Sequence, residues 1–251
     1  MTRCSKWVVA CWTTAALTVS AAAFTAPAPA AATAPHPDFD GIWQVNRQFA
    51  VQSGTKPSDG SPIPFLPWTK AVYDAYQKSA ADGDPWPANH QFCLDAGLVR
   101  SMKGNFPFQV VVTDNQIIFR HEEDNLIHAI PVVAKEKVTH PKNPVPTWNG
   151  DSVAYWEGDT LVVDTIGYNE KVPFIPATFH TPALHTIDRF RLINDGKQFE
   201  VRMTIDDPGA YTKVWETRVV SDRVRAGYKI RDYRCAENNR DLPTEGNWGP
   251  W

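Results

Sequence analysis

The chain has 251 residues, with 25 Lys and Arg against 28 Asp and Glu and a formal net charge of −3. That length supports one large domain with a real hydrophobic core. A near-balanced, slightly acidic charge without a basic run speaks against nucleic acid and anionic membrane surfaces as partners.

Arg3 and Lys6 precede an uncharged stretch, Trp7 to Phe24, and an Ala/Pro/Thr run follows. This is the pattern of a cleaved export signal over residues 1–23, with Ala32 and Ala34 as later cleavage points. The stretch lacks the Leu/Ile/Phe density of a membrane span, so the expected product is periplasmic or secreted, with no stable membrane insertion. Losing Arg3 and Lys6 takes the formal charge from −3 to −5. Cys4 and Cys11 leave too, and the two remaining thiols, Cys93 and Cys235, are expected to form one disulfide. The loop would span 142 residues (235 − 93), for which chain entropy sets a ceiling of about 5 kcal/mol.

Residues 24–38 read as a linker and 39–251 as one domain. A Pro-, Gly- and Ser-rich insertion runs from about 50 to 105. Within it Pro67–Ala81 predicts a helix: Pro67 suits the first turn, Trp68, Val72 and Tyr76 share a face, and Gly83 stops it. Hairpins follow. FQVVV-TDNQ-IIFRHEED, SVAYW-EGD-TLVVDTIG and DRFRLI-NDGK-QFEVRMTID each read strand, turn, strand, the last with a strong Asn194–Asp195–Gly196 turn signal. Phe199, Val201, Met203 and Ile205 alternate with polar residues, so one face is buried and the other wet. KVWETRVVSDR and AGYKIRDYRC predict two more strands. About eight to ten antiparallel strands without alternating helices predict a mainly β, up-and-down barrel with an N-terminal helical cap. A two-sheet sandwich is the alternative.

The opening DFDGIW, with Gly41 and Trp43, resembles the G-x-W start of lipocalin-like barrels. Pro146 to Gly167 (PTWNGDSVAYWEGDTLVVDTIG), His180–Thr181, Asp188–Arg189 and Asp207–Thr212 together resemble a family of exported bacterial proteins marked by a W-E-G-D-T-L-V-V-D-T motif. The resemblance implies export and a fold, and no reaction. It lapses in the middle. The family tends to read C-x-P-x-G-x-P-R where this chain has Cys93 to Arg100 without either proline, and LIHAIPVVAKEKVTHP replaces an Arg-rich strand.

His180 and His185 lie five apart with Pro182 between them, which is not the i, i+4 spacing of a helical zinc pair. His121 and His140 are the other conceivable ligands, and no metal is expected. Proton transfer fits better. From Leu184 the alternation points Asp188 inward with Leu184, Thr186, Phe190 and Leu192, while His185 and Arg189 point outward. An inward carboxylate must find a partner or change its pKa; His180 and His121 are candidate partners. His121 ends the apolar stripe Ile117–Phe119, at a barrel mouth or a solvated strand end. Glu157–Gly158–Asp159 reads as a hairpin turn, not a glycosidase carboxylate pair. The eight tryptophans from Trp43 to Trp251 fill core and cap or line a pocket. No nucleophile elbow, P-loop or dinucleotide fingerprint is present.

The resulting expectation is an exported barrel acting on a small, partly apolar molecule by cofactor-free acid–base chemistry of the lyase, hydratase or isomerase type. His180, His185 and His121 are the acid or base candidates, Asp188 the orienting carboxylate and Arg189 the anion stabiliser. The rival readings are a non-catalytic carrier of the cell envelope and a structural envelope protein. For the cysteines the test is direct: thiol titration of denatured, unreduced protein finds no free thiol, whereas two per chain contradict the Cys93–Cys235 bond.

Overall fold

The computed structural model describes residues 36–46, 56–82, 97–104, 106–170, 179–234 and 237. The expected export signal, most of the expected linker, Cys93 and Cys235 lie outside these residues. Nine strands form one sheet: β1 Gly41–Val45, β2 Phe108–Val112, β3 Gln116–His121, β4 Ile127–Pro131, β5 Asp151–Glu157, β6 Thr160–Ile166, β7 His185–Ile193, β8 Gln198–Asp206 and β9 Trp215–Arg223. Their order is β4-β3-β2-β1-β9-β8-β7-β6-β5, and each ladder between neighbours is antiparallel. The outermost strands meet through a parallel bridge at Val132 and Ala154, where Val133 N–H donates to the Ala154 carbonyl at 2.9 Å. The sheet is therefore a nearly closed up-and-down barrel of the lipocalin-like kind, which removes most exposed strand edge. No described helix is long and apolar enough to cross a membrane.

The three hairpins fall where turn chemistry placed them. Gly158 turns β5 into β6 at φ 64°, and Asn194, Asp195 and Gly196 turn β7 into β8 at φ 51°, 55° and 76°. Phe199, Val201, Met203 and Ile205 are buried, as their alternation requires. One half of the barrel is filled by aromatic rings: Phe39, Trp43, Phe108, Phe119, Phe190 and Phe199 are all buried. Phe199 packs on Phe39, Trp43 and Phe190 at 5.2, 5.2 and 5.6 Å between centroids.

The predicted helix is α1, Pro67–Ala81. Of the face expected to be shared by Trp68, Val72 and Tyr76, the last two are half-buried, and the deepest contact is made by Thr69. Trp68 is 45% exposed, whereas Thr69 is buried and its hydroxyl donates to the carbonyls of Leu66 and Ala210. Trp68 still donates its indole N–H to Gly209 O at 2.8 Å. A short helix α2, Gly97–Ser101, packs against the barrel, with Leu98 and the following Met102 joining the core. AGYKIRDYRC is not a strand over its described residues. The reason is closure: β9 is already paired on both sides, by β8 and β1, and offers no edge. This segment instead crosses the outside, where Tyr228 Oη and the Arg231 N–H donate to Glu122.

Glu200 faces outward yet is fully buried, enclosed by Arg191, Arg202 and Arg218. Burial alone would raise its pKa, but the hydrogen bonds of Arg191 and Arg218 hold it below the usual range. A depressed carboxyl stabilises above its unfolded pKa and loses that contribution as pH falls through its folded pKa. Glu200→Gln is expected to cost about 3 kcal/mol by leaving three guanidinium groups crowded, and Val201→Asp to abolish folding by burying an unpaired charge. Urea unfolding at pH 7 checks both, and two near-neutral results would refute the register.

Candidate functional site

Strand alternation carries Asp188 of β7 to the inside of the barrel, between Val163 of β6 and Met203 of β8. It is 1% exposed, and its Oδ1 has no hydrogen-bond partner among the described residues. Burial pushes this carboxyl up to about 7, against the pull of Lys103. A buried acid without a partner keeps its proton longer than one in water. Around it the lining turns polar. Thr165 and Thr186 face each other across β6 and β7, and both are buried. Thr217 Oγ1 and Trp215 Nε1, on the far side of β8, are likewise buried without partners.

Tyr168 roofs this group. Its hydroxyl lies 2.8 Å from Thr186 Oγ1, and its pKa is raised by burial and then by the charge of Asp188. His180 is 5% exposed and stands edge-on to the Tyr168 ring, 6.1 Å between centroids. The His180 Nδ1 lies 3.1 Å from the Thr181 carbonyl, so Nδ1 carries the proton and Nε2 is the basic nitrogen of the neutral ring. His180 and Asp188 thus border the same tyrosine, but no hydrogen bond joins them, and the expected ion pair is not formed.

The segment carrying His180 is held by the Asp207–Thr212 turn. The Thr181 N–H and hydroxyl each donate to the Asp207 carboxylate at 2.6 Å, and Gly209 N–H donates to the same group at 3.0 Å. A Cβ on Gly209 would lie 2.6 Å from Thr181, so a side chain there would push the His180 segment out of place. Two sequence motifs far apart in the chain are therefore one clamp.

His185 belongs elsewhere. It lies on the outer wall, where its Nε2 is 2.7 Å from Asp164 Oδ1. His140 meets the same oxygen at 3.0 Å and Asp151 at 2.7 Å. The hydrogen bond to Asp164 raises the His185 pKa. Burial alone would raise Asp164, but the bonds from His185 and His140 outweigh it and hold that carboxyl low. This chain of groups pins the segment before β5 to the wall, and among the described residues no group of three or more such side chains is arranged to hold a metal ion. Arg189 also faces outward, opposite Val162 and Arg202, so it does not reach the Asp188 carboxyl from within. His121 is inside, 1% exposed, and burial pushes it down to about 3.

Sequence reasoning missed Tyr168, Thr217, Trp215 and Lys103. Tyr168 follows the β6 strand in the family-like motif and carried a signal; the others depend on which strands become neighbours. No family model matches the chain, and no curated protein matches it.

An acid with a raised pKa weakens the fold as pH rises. Asp188 costs nothing below its unfolded pKa of 3.8 and its full penalty above about 7, roughly 4 kcal/mol in all. Asp188→Asn is expected to be more stable than the parent at pH 8 and no more stable at pH 4. Urea midpoints across that range test this; a parent–variant difference independent of pH refutes it.

Proposed function

We propose that this is an exported, periplasmic or secreted barrel that binds a small, partly apolar molecule at its polar end and moves a proton on it without a cofactor. The observation that supports this most is Asp188: enclosed, without a partner at Oδ1 among the described residues, and half protonated near neutral pH. Such a group both gives and takes a proton at physiological pH, which is the requirement for general acid–base chemistry of the lyase, hydratase or isomerase type. His180 Nε2 is the second proton acceptor, with Tyr168 between the two. Thr217 and Trp215 supply neutral donors for the bound molecule. The aromatic rings filling the other half favour a small ligand over a long chain. His185 and Arg189, on the outer wall, act through the wall and do not touch the ligand.

A carrier would use the same donors without needing an acid of this strength. Deuterium exchange separates the two. A panel of small enolisable ketones incubated in D2O is expected to lose α-protons to the wild type. Asp188→Asn should reduce that exchange about 100-fold without lowering Tm at pH 7.5. Saturable binding with no exchange by either protein would leave a carrier; exchange unaffected by the substitution would contradict the role of Asp188.

A further inference from the structure

Two more buried nitrogens face the same interior. His121 Nε2 and His128 Nδ1 are each buried without a hydrogen-bond partner among the described residues. His121 shares the inward face with Phe108, its partner on β2, and His128 with Phe119, its partner on β3. The His121 N–H donates to the Leu126 carbonyl, so His121 and His128 are diagonal neighbours on one face.

Their wall is the one opposite Asp188. β3 and β7 are separated by β4, β5 and β6 one way round and by β2, β1, β9 and β8 the other. Height follows from the registers. The row from His121 runs through Phe108, Trp43 and Arg223 to Lys197 and the Asn194 end of β7. Continued the other way, through β4, the Val132–Ala154 bridge, β5 and β6, it reaches the Pro182–Leu184 segment that leads into β7. Strands in a barrel tilt, so a single height lies between the two ends of such a row. Asp188 stands midway between them. At this end of the barrel α2 packs beside the rim formed by β3, β4 and β5. Leu98 N–H donates to Asn149 at 2.9 Å on one side, and Gly104 lies beside Glu123 on the other.

We infer that His121 and His128 form the far wall of the Asp188 site, and that the enclosed layer takes a small uncharged compound bearing oxygen functions at both ends. This rests on the reading of the polar end as a ligand site. Its chemistry follows from the lining. A buried group without a partner costs free energy unless a ligand or water satisfies it. Burial keeps both imidazoles neutral, at about 3 for His121 and about 4 for His128, so the far wall holds no cation for a carboxylate. Thr217 and Trp215 are neutral donors. A hydroxyl or carbonyl oxygen satisfies such groups, while a charged group against the two neutral imidazoles would be desolvated without a counter-charge.

The test uses one ring with three head groups: cyclohexane-1,4-diol, cyclohexane-1,4-dicarboxylate and cyclohexane-1,4-diammonium. Each is titrated into the full protein at pH 7.5, with NMR of the His121 and His128 ring carbons and the Asp188 carboxyl carbon. The diol is expected to shift all three signals with one dissociation constant, and the charged compounds to shift none. His128→Gln should weaken diol binding about tenfold; His121→Phe provides a second, apolar variant of similar bulk. If the diol moves Asp188 but neither histidine, the far wall is wrong while the Asp188 site stands. If the dicarboxylate binds as well as the diol, the uncharged class is wrong. If no compound moves any signal, both the site and this extension of it fail.

Discussion

Closure of the sheet sets the terms for everything inside it. β1 lies between β2 and β9, and the Val132–Ala154 bridge joins the two outermost strands, so inward side chains have little access to water. In an open sheet Asp188 would be an ordinary ionised carboxylate. Within the barrel it keeps its proton to near neutrality, and His121 and His128 lose theirs. The outer wall shows the contrast. Glu200 is equally buried but faces three arginines, and it stays ionised. Burial alone does not decide the charge of a group; the available partners do.

The interior is divided accordingly. Aromatic rings around Phe199 pack one half and supply the apolar burial that a barrel of this size depends on. Asp188, the facing threonines and Tyr168 line another part of the interior, where Asp188 Oδ1 has no partner among the described residues, while His121 stacks on Phe108 at the edge of the aromatic cluster. Such groups cost stability, and the sheet tolerates them because the aromatic half is well filled. The unpartnered groups therefore sit beside well-packed aromatic rings, and a ligand is expected to offset their cost.

Much of this was legible in the chain. Alternation from Leu184 to Leu192 put Asp188 inside and His185 and Arg189 outside, and the turn residues around Gly158 and Gly196 placed their hairpins. Pro67 and the periodicity after it gave α1 its bounds. What stayed hidden depends on long-range contact. Nothing local says that Thr181 will be clamped by Asp207, or that His140 and His185 will meet at Asp164. His128 sits in LIHAIPVV, where exposed Ile127 and Ala129 flank it and mask the inward pattern. The error over AGYKIRDYRC has the same origin: its composition suits a strand, but β9, the strand before it, is already paired on both sides.

The central claim is that closure of the barrel holds Asp188 protonated close to neutral pH. A titration of the Asp188 carboxyl carbon by NMR, assigned by comparison with Asp188→Asn, tests it most directly. A midpoint near 7, about where burial places it, is the predicted result. A midpoint near 4 would mean an ionised, solvated or paired carboxylate, and would contradict the account of the site.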